Sequence, residues 1–98
     1  MLSNRLLRLR HDRTDLGFLS ASLAEDGGRD PYWSLRVEAP SSAEEFRDHL
    51  HEGSSMSFSM ITRDGVHLRG EAYVSSMSDG VDAATVVVLA GTGPLRRV

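Results

Sequence analysis

The chain has no cysteine, no lysine and no apolar run long enough to cross a bilayer. The first absence excludes disulfides, thiolate metal sites and cysteine nucleophiles. The third excludes a transmembrane helix. The N-terminus also lacks the continuous apolar segment of a signal peptide, so the cytoplasm is the default expectation and a membrane is not an expected partner. Every one of the 11 basic side chains is Arg, which we read as codon composition. Aromatics are sparse at 6%, and none is interleaved with basic residues as a nucleic-acid surface requires. Arg5, Arg8, Arg10 and Arg13 face only Asp12 in the first thirteen residues, and Arg96 and Arg97 close a chain whose middle is acidic. Such small basic ends neutralise few phosphates. They read as solvated surface or as charge matching between copies, and nucleic acid is set aside.

What remains describes one ordinary globular domain spanning 1–98: 98 residues, 40% hydrophobic and 26% charged, with net charge −3. Its organising stretch is Met56–Met77, which reads as a long β-hairpin. Met56, Phe58 and Met60 alternate with serines, and Val66, Leu68, Gly70, Ala72 and Val74 alternate with His67, Arg69, Glu71 and Tyr73. A two-residue Asp64-Gly65 turn would put the two apolar rows on opposite faces. A three-residue Arg63-Asp64-Gly65 loop, with Gly65 left-handed, pairs Met60 with Leu68 and Phe58 with Gly70. One residue of slip inverts every side chain, so the second register is expected. Gly70 and Ala72 leave a shallow place where Phe58 or a helix would lie.

Leu6–Arg10 reads as a short edge strand with Leu7 and Leu9 inward, although Leu2, Leu6 and Leu9 also fall at helical spacing. Leu16–Leu23 is a strand with Leu19, Ala21 and Leu23 on one face. Residues 25–31 form a loop, and Tyr32–Glu38 returns as a second hairpin arm with Trp33, Leu35 and Val37 inward. Ser41 with Glu44, or Ser42 with Glu45, has capping-box spacing, and Ala43, Phe46 and Leu50 make the apolar stripe of a helix stopped by Gly53. Ser78-Asp79-Gly80 is a turn. Ala83–Ala90 is apolar on both faces, as a central or doubly covered strand would be. The expected fold is mainly β (α+β). It has about six antiparallel strands in a small β-sandwich or partly open barrel, with one short α-helix at about 42–52.

The residues of types that carry chemistry have structural explanations. His49 and His51 are two apart on a helix, point in different directions, and read as solvated. His67 lies on a polar strand face, and His11-Asp12 is a local pair in a loop. No serine sits in a nucleophile elbow. Capping accounts for Glu44 and Glu45, and Pro94 denies Gly91-x-Gly93 the helix that phosphate binding needs. No catalytic, cofactor-binding or metal residues are assigned, and the chain is not expected to be an enzyme. Tyr32, Tyr73, Arg69 and Glu71, on outward faces, are the candidate interface.

Gly70, Ala72, Val74, Gly91, Thr92, Gly93 and Leu95 give the last third a strand with G-x-A-x-V, a polar connection, an apolar strand and then G-T-G. That order resembles the C-terminal part of phage major tail-tube proteins, and the strand–helix–hairpin–strand order is similar to small bacterial domains of unknown function. The first resemblance implies packed antiparallel sheets with a flanking helix, and subunits that assemble into rings. The expected function is therefore a non-enzymatic structural, assembly or protein-interaction domain, prophage tail-like, that associates with itself as a homo-oligomer or with another protein. The alternative is a small-ligand-binding β-barrel with Trp33, Phe58 and Gly70 lining its cavity.

Overall fold

The computed structural model describes residues 3–25, 33–78 and 85–98. In chain order the elements are β1 (Ser3–His11), β2 (Thr14–Asp15), β3 (Ser20–Glu25), β4 (Trp33–Glu38), α1 (Ala43–Glu52), β5 (Ser55–Thr62), β6 (His67–Ser78), β7 (Val86–Gly91) and β8 (Arg96–Arg97). The strands run β1-β3-β4-β7-β6-β5, all pairs antiparallel, and β1 then pairs with β5. The described residues are thus mainly β, with a closed six-stranded barrel, two short extra strands and one helix. The mainly β fold with one short helix is as expected, but the barrel is closed where a sandwich or a partly open barrel was expected.

Closure depends on β1, which is hydrogen-bonded on both sides and is not an edge strand. Its register against β5 shifts between Leu6 and Arg8. Leu7 is therefore the extra residue of a bulge and is 67% exposed, whereas Leu6 and Leu9 both point inward. A bulge bends a strand and raises its twist, which suits a tightly curved wall. It also explains the mixed pattern, because leucines three apart share a face only across an inserted residue.

The central hairpin has the expected register, with Met60 opposite Leu68 and Phe58 opposite Gly70. Thr62 N donates to Val66 O at 3.0 Å, Gly65 N donates to Thr62 O at 2.9 Å, and Gly65 has φ 84°. Met56, Phe58, Met60, Leu68, Ala72 and Val74 all face the interior. The group that covers Gly70 is not Phe58 or a helix but Trp33. A β-carbon at Gly70 would lie 2.8 Å from the indole Cζ2 and 2.9 Å from Leu95 Cδ2. One at Gly91 would collide with the pyrrole side of the same ring. Trp33 Nε1 donates to Gly93 O at 2.8 Å, which satisfies the only polar atom of a side chain just 1% exposed.

The β3–β4 hairpin also forms, but β3 begins at Ser20, not Leu16. Leu19 precedes the first ladder pair, beyond the rim of the barrel, and is 76% exposed where an inward side chain was expected. The expected loop at 25–31 lies largely outside the described residues, as does the turn over residues 79 and 80. β7 starts at Val86 and is central in its hydrogen bonding, lying between β4 and β6. Val87 and Leu89 are buried inside, while on the outer wall Val86 and Val88 are half-buried and Ala90 is buried.

α1 forms where expected. It ends at Gly53 (φ 69°), whose N–H donates to His49 O at 2.9 Å, and it carries Phe46 into the core with its ring 6.5 Å from that of Phe58. The capping box does not form. Ser42 makes no side-chain cap bond, and Ser41 Oγ instead accepts from Gly17 N at 3.1 Å and donates to Gly17 O at 3.3 Å. Both serines had equivalent local spacing, and a partner from a distant loop took one of them.

Gly91→Ala should lower stability by about 2–3 kcal/mol, because the new methyl group overpacks a rigid ring. Urea unfolding followed by the fluorescence of the lone tryptophan should show an earlier midpoint, with a red-shifted native spectrum as the indole leaves its seat.

Candidate functional site

Among the described residues, two places concentrate polar chemistry. The first is the junction between the end of β1 and the helix. His11, the last residue of β1, is only 8% exposed although the sequence places it in a charged stretch. The chain reverses immediately after it through Asp12 (φ 48°) and Arg13 (φ 69°), a two-residue hairpin with both central residues left-handed. Such backbone is costly for residues with a β-carbon and persists where the surroundings enforce it. His11 Nδ1 donates to Glu45 Oε1 at 2.8 Å, and Nε2 faces Asp12 Oδ2 at 3.5 Å. Its ring also meets His49 edge-on, with centroids 5.8 Å apart, and Phe58 at 5.7 Å.

Glu45 and His49 are four apart on α1 and so project from the same face. Ser54 Oγ donates to Glu52 Oε2 at 3.4 Å and lies 2.7 Å from His49 Nδ1. The serine oxygen therefore accepts from Nδ1–H, which leaves the lone pair on Nε2. His49 is not the solvated helix histidine the sequence suggested, and Glu45 is more than a helix-start carboxylate. His51 is exposed and separate, as expected. One ligand atom from each of His11, Glu45 and His49 lies within 4.8 Å of the other two. The i, i+4 relation between Glu45 and His49 was visible in the sequence. The contribution of His11, 34 residues upstream of Glu45, was not.

The second place is the outer wall formed by β1, β5, β6 and β8. Ladder pairs align Arg10, Ser59, Arg69 and Arg96 in one row and Arg8, Ile61 and His67 in the next. Arg10 pairs with Asp15 at 3.4 Å. Arg69 and Glu71 make no ion pair with any described residue. Thr92 N donates to Glu71 O at 2.9 Å, bringing the segment after β7 across β6. The result is a groove of about 390 Å³ whose walls include Arg69, Glu71, Thr92, Pro94 and Arg96. Of the candidate interface residues, Arg69, Glu71 and Tyr73 share the outer face of β6, with Tyr73 43% exposed. Tyr32 lies outside the described residues.

No family model matches the chain, and no curated protein matches it. Among solved structures it is similar to a hypothetical protein from Staphylococcus aureus, with a TM-score of 0.77 at 11% identity over 98% of this chain and 71% of that one. At that identity the likeness is one of fold.

Replacing Glu45 with Ala leaves the nearly buried His11 Nδ1–H without its acceptor. The expected loss is about 1–2 kcal/mol, in the range for a buried donor left unsatisfied. Urea denaturation should show it, whereas Glu44→Ala, on the exposed side of the same turn, should fall within about 0.5 kcal/mol of wild type.

Proposed function

We propose that the protein is a non-enzymatic interaction domain that associates with itself through the outer face of β6. The observation that carries this reading is the row Arg69, Glu71 and Tyr73: two opposite charges and a half-exposed aromatic, all pointing outward at alternate positions. Around a two-fold axis, Arg69 of each copy would meet Glu71 of the other, and Tyr73 would supply apolar area at the rim. The same pattern suits self-recognition better than recognition of a uniformly charged partner, because Glu71 would repel a polyanion and Arg69 a polycation.

The seat of Trp33 also supports a surface-binding role over the enclosed-ligand alternative. Trp33 packs directly over Gly70 and Gly91, occupying the volume that a ligand lined by Trp33, Phe58 and Gly70 would need. The residues behind the tail-tube resemblance have packing work of their own in this fold. Gly70 and Gly91 seat the indole, Gly93 accepts its N–H, and Leu95 lies beside it. A ring of copies remains one form that self-association could take, but the proposal rests on β6.

Size-exclusion chromatography with light scattering, from about 1 to 500 µM, should show a mass that rises with concentration. Raising the salt to 1 M, where the Debye length is about 3 Å, should weaken it. Arg69→Glu should give a monomer throughout, and the swapped double variant Arg69→Glu with Glu71→Arg should associate again. A wild type that stays monomeric over the whole range would overturn the proposal.

A further inference from the structure

We infer that His11, Glu45 and His49 form a binding site for a divalent transition-metal ion, with Zn²⁺ the best-suited. Two imidazoles and one carboxylate are a donor set for zinc that leaves a further position for solvent. Three features go beyond mere proximity.

The first is what holds the imidazole rings. Metal-binding histidines are typically oriented by a hydrogen bond on the ring nitrogen away from the metal. Ser54 lies against His49 Nδ1 at 2.7 Å and leaves Nε2 for an ion, while the Asp12 carboxylate stands 3.5 Å from His11 Nε2, on the side of the ring away from Glu45. The second is the fit. Ligand atoms about 2.0 Å from a tetrahedral ion stand about 3.3 Å apart. His11 Nδ1 and Glu45 Oε1 are at 2.8 Å, so they need only open slightly. One ligand atom from each of the three residues lies within 4.8 Å of the other two, so side-chain rotation on the helix face need close no gap by more than about 1.5 Å. The third is access with restraint: His11 is held in the core against Phe58, while the Glu45 side chain is 40% exposed and gives an ion a path from solvent.

In the metal-free protein a proton sits between His11 Nδ1 and Glu45. Binding would put the cation where that proton lies and shift the proton to Nε2, on the Asp12 side of the ring, so His11 would coordinate as neutral imidazole. The coordination bonds would join the end of β1 to α1 and pin the helix over the barrel. This site is independent of the β6 face, and neither proposal requires the other.

The test is titration of the untagged, metal-free chain with ZnCl₂ by calorimetry, and with CoCl₂ by visible absorption. The expected results are one ion per chain, Co²⁺ d–d bands displaced by Zn²⁺, and a Tm raised by about 10 °C when zinc is 100-fold above its Kd. His49→Ala removes a half-buried ligand from an already folded helix and should weaken binding at least about 100-fold, and Glu45→Gln should weaken it at least about 10-fold. His51→Ala, on the same helix outside the cluster, should bind like wild type. Circular dichroism of each variant separates lost ligands from lost folding. No binding by the wild type at 1 mM metal, binding unchanged in folded His49→Ala, or binding lost in folded His51→Ala would each overturn the inference.

Discussion

Burying an indole requires flat contact on its faces and an acceptor for its N–H, and the residues after β5 supply both for Trp33. Gly70 and Gly91 lie where any β-carbon would strike the ring, and Gly93 O takes the hydrogen bond. Because the indole is wedged between β4, β6 and the segment that follows β7, it holds three parts of the chain in fixed relation. Loss of contact on a rigid ring that fills so much volume would leave a cavity rather than a small rearrangement. The path of the C-terminal segment follows from this seat. Held down by the indole and by Thr92 on Glu71 O, it reaches β6 and adds β8.

Toward the other end of β4 the chain enters α1, and the ties there are of a different kind. Phe46 gives the helix an apolar anchor, but a helix this short gains little stability by itself and needs docking. The bonds that orient it are polar and long-range: Ser41 to Gly17, and Glu45 to His11. In a barrel otherwise filled by Leu, Val, Met and aromatic groups, the helix junction is where buried or half-buried polar groups converge. A carboxylate–imidazole bond inside such an environment is directional, so it sets which face of the helix looks inward.

Much of the barrel wall was legible from alternation. In the central hairpin the turn chemistry at Gly65 and the matching of apolar rows admitted one register, and Trp33, Leu35 and Val37 were equally clear. The errors share a cause. β1 was mistaken for an edge strand because its leucines fit no single period, and only the bulge at Leu7 reconciles Leu6 with Leu9. The helix cap was misassigned because local spacing cannot reveal that Gly17 competes for Ser41. At the helix junction, Glu45 and His49 have the spacing of a shared face, but a carboxylate in the first turn of a helix is already explained locally by capping. His11 could not have been found, since nothing in its neighbours marks it as buried.

Residue order by itself determined the central hairpin with its loop at Gly65, the inward row of Trp33, Leu35 and Val37, and the helix, because each depends on a period of two or 3.6 and on nearest neighbours. Closure of the sheet into a barrel, the seat of Trp33 and the meeting of His11 with Glu45 and His49 were decided only in three dimensions. Each joins residues dozens of positions apart, and no local pattern records which distant group will fill a given space.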